Sequence, residues 1–392
     1  MTRAGVIIVG AGQGGLQAAI SLRQQGFADP VTLIGAEPGL PYQRPPLSKA
    51  YLVDGNAEAL TLRPQSFFAA KDITYLPEAV VEQIDRPARQ VVVHGADGPR
   101  RLPYDHLILA MGTRNLRPPI DGLDLACDLR TLQDAGRLRD MLRTERRIAV
   151  IGGGFIGLEF AAAAGKQGHK VAVIEAAPRL MSRVLSPLMS HHFARLHGEW
   201  GTALYMGQPA VGVDGGGVAL ADGTTIAADL VLVAAGVRPN TGLASEAGLT
   251  VDNGVRVDAS LRTSDPAISA LGDCASFPDP RSGRHIRLES VQAATDHARL
   301  IAARIAKGQD ATYAAVPWFW SDQGDKKLQI AGFAGPEATE EVVSDGIVAR
   351  LDAKGVAAVE TIDKAGVHMK TRRLLSGHAS VSLEQVKELA AA

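Results

Sequence analysis

Cysteine is nearly absent: the 392 residues include two, Cys127 and Cys274. They form no C-x-x-C or C-x-x-x-x-C pair. A redox-active dithiol is therefore excluded, and with it the disulfide reductases, as is a cysteine-ligated iron–sulfur cluster, which needs about four thiolates. Both cysteines read as small buried apolar residues. Charge of one sign is missing too. Lys and Arg number 41 against 42 Asp and Glu, a net charge of −1, so no global field favours nucleic acid or an anionic membrane and partner recognition falls to local patches. No apolar run approaches the ~18 residues of a membrane-spanning helix. The first apolar stretch is a short strand with a glycine turn, lacking a basic leader or cleavage site, so a soluble cytoplasmic protein is expected. The ten histidines show no H-E-x-x-H or paired ligand spacing, and no metal site is expected. Adjacent His191 and His192 would point to different sides of a helix.

Glycine, by contrast, is abundant, with 42 residues. Residues 6–15 read V-I-I-V-G-A-G-Q-G-G, a β-branched run leading into Gly10, Gly12 and Gly15 at G-x-G-x-x-G spacing. An amphipathic helix over 16–25 follows, closed by Gly26, then a strand over 31–34 and Glu37. The first glycine permits the turn, the second lets backbone N–H groups approach a pyrophosphate, and the third lets helix pack on strand. The phosphates then sit at the positive end of the helix dipole. Glu37 stands about where an acid holds a ribose hydroxyl.

A second copy decides the matter. Residues 148–157 read I-A-V-I-G-G-G-F-I-G and place Gly152, Gly154 and Gly157 at the same spacing, followed by a helix over 158–167, Gly168, a strand over 170–174, and Glu175. Two nucleotide sites in one chain imply electron transfer between two cofactors. A carboxylate at Glu175 accepts hydrogen bonds from a ribose 2′-OH and repels a 2′-phosphate, which favours NADH. Arg179 and Arg183 pull the other way, since arginines hold phosphates.

The rest of the chain is organised around these copies. Prolines stiffen L-P-Y-Q-R-P-P-L-S-K (40–49), with Ser48 a candidate helix cap and Lys49 a positioned cation. Beyond an extended path past Val81, strands are expected over 90–94, 101–103 and 106–109. A-M-G-T-R-N (110–115) leaves the first domain, and A-A-G-V-R-P-N (234–240) returns to it after a second nucleotide domain with a hairpin at Asp222-Gly223 and a strand over 230–235. A helical run over 288–305 follows E-S-V (289–291), and its first turn would present N–H groups to the pyrimidine end of a flavin. From Pro317 onward, strands over 327–331, 341–343, 347–351 and 356–361 and a helix over 383–390 make a small antiparallel domain. Trp318 and Trp320 flank Phe319, and strand alternation would send both indoles to one face.

P-Y-Q-R-P-P-L-S-K, I-G-G-G-F-I-G-L-E, T-S-D-P-A-I-S-A-L-G-D-C-A (263–275) and P-W-F-W-S-D-Q (317–323) together resemble the FAD-dependent ferredoxin reductases, the family of putidaredoxin reductase, rubredoxin reductase and the reductase components of aromatic-ring dioxygenases, with apoptosis-inducing factor as a relative. These motifs run through nearly the whole chain in the family's order. The resemblance implies an α/β fold with two Rossmann-like, glutathione-reductase-like dinucleotide domains plus a small α+β C-terminal domain. It divides the chain into an FAD-binding domain (1–113 and 240–315), an NAD-binding domain (114–239) and a C-terminal interface domain (316–392). It implies NADH:ferredoxin oxidoreductase activity, with electrons passing from NADH through FAD to an acidic [2Fe–2S] ferredoxin that supplies a cytochrome P450 or a ring-hydroxylating oxygenase.

By the same resemblance, Lys49 and Glu159 pair as the catalytic groups, Lys49 stabilising electron density on the flavin and Glu159 orienting the nicotinamide amide. Flavin contacts are implied for Gly10, Gly12, Gln13, Gly14, Gly15, Glu37, Arg44, Lys49, Val81, Arg130, Asp273 on the ribityl chain, Glu289, Val291 and Trp320. Nicotinamide-dinucleotide contacts are implied for Gly152, Gly154, Phe155, Ile156, Gly157, Glu159, Glu175, Arg183 and Gly236. Many relatives carry the flavin-ribose acid where this chain has Ala36, so either Glu37 substitutes with a small shift or that hydrogen bond is missing. The C-terminal segment, H-M-K-T-R-R (368–373), is more basic than usual, and the partner's identity does not transfer. Arg63, Arg299, Lys370, Arg372 and Arg373 are candidates for a basic landing site, and the chain is expected as a monomer or homodimer. Alternatives are an NADH oxidase or peroxidase, which uses a redox cysteine near the flavin, and a redox sensor like apoptosis-inducing factor.

Overall fold

A computed structural model describes residues 3–377 and 380–391, and the chain divides into two compact units. The first comprises Met1–Gln43, Glu58–Arg114 and Arg238–Ala315; the second comprises Arg44–Ala57, Asn115–Val237 and Val316–Ala392. Positions 1, 2, 378, 379 and 392, which the expected domains include, lie outside the described residues.

In the first unit a five-stranded parallel sheet runs in the order Ile268–Ala270, His106–Leu109, Val6–Val9, Val31–Ile34, Ile73–Leu76. Its central strand, V-I-I-V, is buried at every position. A strand covered on both faces reads as a continuous apolar run, not an alternating one. The helix Gln13–Gln24 packs on the long helix Val291–Lys307. Gly14 allows that approach, since a Cβ there would collide with Leu271 and sit 3.3 Å from the Ala294 Cβ. An antiparallel sheet of Val80–Asp85, Gln90–Gly95 and Gly98–Pro103 joins the same core. Val81, 8% exposed, faces Val93 within it.

The second unit repeats the parallel plan, with strands in the order Ala203–Met206, Lys170–Glu175, Arg147–Ile151, Leu230–Val233. The expected hairpin forms between Gly217–Leu220 and Thr225–Ala227. The C-terminal sheet is antiparallel, in the order Trp318–Gln323, Lys326–Gly332, Gly355–Ile362, Ile347–Asp352, Thr339–Ser344. Strand alternation gives it two faces. One carries Phe319, Ser321, Gln323, Glu360 and Arg350; the other carries Trp318, Trp320, Asp322, Gln329 and Thr361. The helix Ala365–Gly377, which the sequence reading did not anticipate, covers the tryptophan face, with the His368 ring 5.9 Å from Trp318. The opposite face meets the second glycine-loop helix, Phe155–Lys166, where Phe155 and Phe319 pack edge to face at 5.8 Å. No helix among the described residues is long and apolar enough to cross a membrane.

Cys274 is fully buried beneath the carbonyls of Leu271 and Leu109, and burial pushes its thiol up to about 11. Cys127 is half-buried, and burial raises it as well. Neither favours the thiolate needed for redox chemistry.

Candidate functional site

The two glycine loops fold alike, residue for residue. Gly10 (φ +106°) and Gly152 (φ +116°) lie against the carbonyls of Ala110 and Ala234, where a Cβ would collide. Gly15 and Gly157 press on the carbonyls of Gly10 and Gly152 in the same way. Gly12 and Gly154 are different: a Cβ there would meet no protein atom within 4 Å. Each caps its helix without a side-chain acceptor. The first-turn N–H groups at Gln13 and Gly14, and at Phe155 and Ile156, thus face open space at the positive end of a dipole, which fits a pyrophosphate in each unit.

The acids beyond the second strands differ. Glu175 is folded back over its own loop, Oε2 accepting from the Gly153 N–H (2.7 Å) and Oε1 from the Ala177 N–H (2.8 Å). Each oxygen keeps a lone pair for a ribose hydroxyl. Arg179 is consumed locally, donating to the Leu185 carbonyl (2.7 Å), the Ser182 carbonyl (2.8 Å) and Ser190 Oγ (2.8 Å). Arg183 is exposed. In the first unit the matching position is Gly35, where a Cβ would lie 2.8 Å from the Ala11 Cβ, so no acid fits there. Glu37, two residues on and half-buried, accepts from the Tyr42 hydroxyl at 2.5 Å, while Ala36 is exposed.

The strand Ile268–Ala270 delivers Asp273 on a single 3-10 turn, Gly272–Cys274. The Gly272 N–H donates to His297 Nδ1 at 3.2 Å. His297 is fully buried against Phe277 and Tyr313, and desolvation pushes it down to about 3, so the ring is a neutral acceptor. Thr113 Oγ1 lies 3.4 Å from Asp273 Oδ2; Arg287 donates to the Asp273 carbonyl (3.2 Å) and pairs with Glu289 (2.7 Å). Two residues beyond Glu289, Val291 opens the long helix, capped by Ser290. Asp273, Glu289 and Val291 are thereby gathered in the first unit. Val81 lies in the same unit, with its side chain buried in the core.

The second unit assembles a compact polar cluster. Lys49 Nζ lies 3.1 Å from Glu159 Oε1 and 3.1 Å from Asp322 Oδ2. Ser48 donates to Glu159 Oε2 (2.6 Å) and Ser321 to Oε1 (2.7 Å). Glu159 is only 7% exposed, and a carboxylate so buried needs such partners. Ser48 is therefore spent on Glu159, and the helix Ala50–Asp54 begins without a side-chain cap. Arg44 donates to the Arg130 carbonyl (2.7 Å), just ahead of the helix Leu132–Met141, which Thr131 and Asp134 close in a capping box. Trp320 stacks on Trp318 with centroids 5.7 Å apart, and the Arg372 guanidinium lies 4.1 Å over the Trp318 ring. Lys370 and Arg373 are exposed, Arg63 lies over Phe67, and Arg299 pairs with Asp296. Ser321, Asp322 and Gln323 were missed by the sequence reading, although the alternation of P-W-F-W-S-D-Q already put them on defined faces.

Two dinucleotide cradles on parallel sheets of one chain are the framework of a pyridine-nucleotide flavoprotein. The chain belongs to the pyridine nucleotide-disulphide oxidoreductase family, whose pattern spans residues 4–298, and a reductase C-terminal domain spans 318–392. It is 43% identical to rhodocoxin reductase of Rhodococcus erythropolis over 98% of this chain and 92% of that one. Its fold matches the ferredoxin reductase for the CYP199A2 system of Rhodopseudomonas palustris with a TM-score of 0.93 at 40% identity, covering all of both chains. It matches the reductase of a covalent putidaredoxin reductase–putidaredoxin complex with a TM-score of 0.91 at 35% identity, covering 99% of this chain and 98% of that one.

Proposed function

We propose that this protein is a cytoplasmic NADH:ferredoxin oxidoreductase that takes electrons from NADH through FAD to an acidic [2Fe–2S] ferredoxin, itself serving a cytochrome P450 or an aromatic-ring oxygenase. The observation that carries the reading is the pair of matching phosphate cradles in a chain with no dithiol for a disulfide to form. Residues 1–113 and 240–315 bind FAD, 114–239 bind NADH, and 316–392 form the interface domain. When bound, the flavin accepts two electrons together and releases them singly. The chain's own residues do the rest. The first-turn amides of the two glycine-loop helices hold the pyrophosphates. Asp273, kept in place through Gly272 and His297, takes the ribityl chain, and Glu37, braced by Tyr42, takes the flavin ribose. Lys49 supplies positive charge where electron density builds, and Glu159 orients both Lys49 and the nicotinamide amide. The oxidase and peroxidase readings typically rely on a redox cysteine near the flavin, and burial raises both Cys274 and Cys127, which disfavours the thiolate at either one.

The test is electron delivery. The yellow protein should bleach with NADH and reduce cytochrome c only when a [2Fe–2S] ferredoxin is present. Protein that cannot take up flavin, or that reduces cytochrome c at full rate alone, would overturn the assignment.

Nucleotide choice follows from Glu175. With Arg179 tied down nearby, Arg183 is the one of the two candidate arginines left to offset the carboxylate's opposition to a 2′-phosphate, so NADH should far outperform NADPH in kcat/KM. Glu175→Ala should narrow that gap by about tenfold, the worth of one charge-assisted hydrogen bond. Equal efficiency with both nucleotides in the unaltered protein would contradict this.

A further inference from the structure

Resting on the role just given to Glu159, we infer that Ser321, Gln323 and His197 form a one-directional hydrogen-bond relay that holds the Glu159 carboxylate in place beside Lys49. All three side chains are completely buried. The chain runs from His197 Nε2 to Gln323 Oε1 (2.9 Å), from Gln323 Nε2 to Ser321 Oγ (3.1 Å), and from Ser321 Oγ to Glu159 Oε1 (2.7 Å).

The direction of every bond is fixed by its last member. A carboxylate only accepts, so the Ser321 proton lies on Glu159, and Ser321 Oγ is then an acceptor for its other neighbour. Gln323 must therefore turn its NH2 group to Ser321 and its carbonyl to His197. The opposite amide orientation would set a carbonyl against a hydroxyl whose proton is already committed. His197 Nε2 consequently donates. Burial pushes this histidine down, which favours the neutral ring, and with the proton on Nε2 the buried Nδ1 is an acceptor; it has no hydrogen-bond partner among the described residues, so no competing donor opposes this tautomer, and the ring packs edge-on to Trp200. The remaining Gln323 N–H meets the Met181 sulfur at 3.5 Å.

Three donors aligned head to tail polarise one another toward the negative end. Three buried polar side chains on one strand and one helix cost more than apolar packing would, unless the group at their end must be held to a few tenths of an ångström. Ser321, Gln323 and His197 touch neither nucleotide in this assignment. They act through Glu159 and are positioning residues.

The experiment uses the flavin-loaded enzyme. Ser321→Ala should slow single-turnover flavin reduction by NADH about tenfold and Gln323→Met about threefold, with Ser321→Thr, which keeps the hydroxyl, recovering most of the rate. The second readout needs no turnover. When Glu159 loosens, Lys49 is less firmly paired, so its acetylation by acetic anhydride, read by peptide mass spectrometry against exposed Lys71, should rise severalfold in Ser321→Ala and return in Ser321→Thr. Unchanged rate and unchanged Lys49 labelling in Ser321→Ala would overturn the relay. Glu159→Gln separates the role of Glu159 from the relay: if it slows reduction while Ser321→Ala changes neither rate nor labelling, the relay alone fails, and if it leaves reduction untouched, the role of Glu159 fails and takes the relay with it.

Discussion

Lys49→Met is expected to slow flavin reduction by NADH by about 10²–10³-fold, the range found when a preorganised donor to developing negative charge is removed. Methionine keeps the length of the stem, so the change is confined to the ammonium. That ammonium is 18% exposed and sits 3.1 Å from both Glu159 and Asp322, a geometry that holds it in one place before any nucleotide arrives. Its removal has two consequences. The field favouring the electron-rich state is lost, and Glu159, buried and still holding the Ser48 and Ser321 hydroxyls, is left without its cation. Stopped-flow bleaching of the flavin measures the first, and the affinity for NAD⁺ reports the second. Asp322→Asn should do far less, because Asp322 is 41% exposed and a solvated carboxylate contributes little to a pair. A Lys49→Met enzyme reduced at the original rate would remove Lys49 from the mechanism.

Much of this arrangement could be read from the chain. The glycine loops were legible because their chemistry is local: a β-branched run, three glycines at fixed spacing and a helix lie within about ten residues, and backbone sterics dictate the rest. The pairing of Trp318 with Trp320 followed from strand alternation alone. Long-range partners were not legible. Nothing near Ser48 in sequence indicates that its hydroxyl serves Glu159 in place of a helix N-terminus, because that choice is made by tertiary packing across more than a hundred residues. The helix Ala365–Gly377 escaped for a different reason. Its inward face includes His368 and Thr371, both buried, while Met369 is 53% exposed, so the apolar period that marks an amphipathic helix is blurred. Arg179 was ambiguous on paper because residue type cannot tell a phosphate ligand from a loop brace. Its three bonds, to the Ser182 and Leu185 carbonyls and to Ser190 in the helix Pro187–Glu199, are what decide.

Arg350→Met should cost the protein about 3–5 kcal/mol, the penalty for stranding one member of a buried ion pair. Arg350 and Glu360 are 6% and 0% exposed, on adjacent strands of the same sheet face, with Nη1 3.4 Å from Oε1. Glu360 also accepts from the Ser186 N–H (2.8 Å) and hydroxyl (2.5 Å), so this carboxylate ties the C-terminal sheet to the cap of the helix Pro187–Glu199. Burial pushes Glu360 above the ordinary carboxylate range despite these donors. An acid whose folded value is raised contributes stability below its unfolded value and loses it as pH rises through the folded one. Removing the arginine takes away an influence that lowers that value, so the Arg350→Met defect should be largest near neutral pH and shrink on acidification as Glu360 takes up its proton. The double variant Arg350→Met/Glu360→Gln keeps an acceptor for the Ser186 N–H and buries no charge, and should recover to within about 1–2 kcal/mol of the original protein. Denaturant unfolding followed by tryptophan fluorescence, with Trp318 and Trp320 in the same sheet, reads both effects. A single variant as stable as the parent at neutral pH, or a double variant no better than the single, would mean that the Arg350–Glu360 pair contributes nothing and that Arg350 acts, if at all, through its bonds to the Val184 and Gly335 carbonyls.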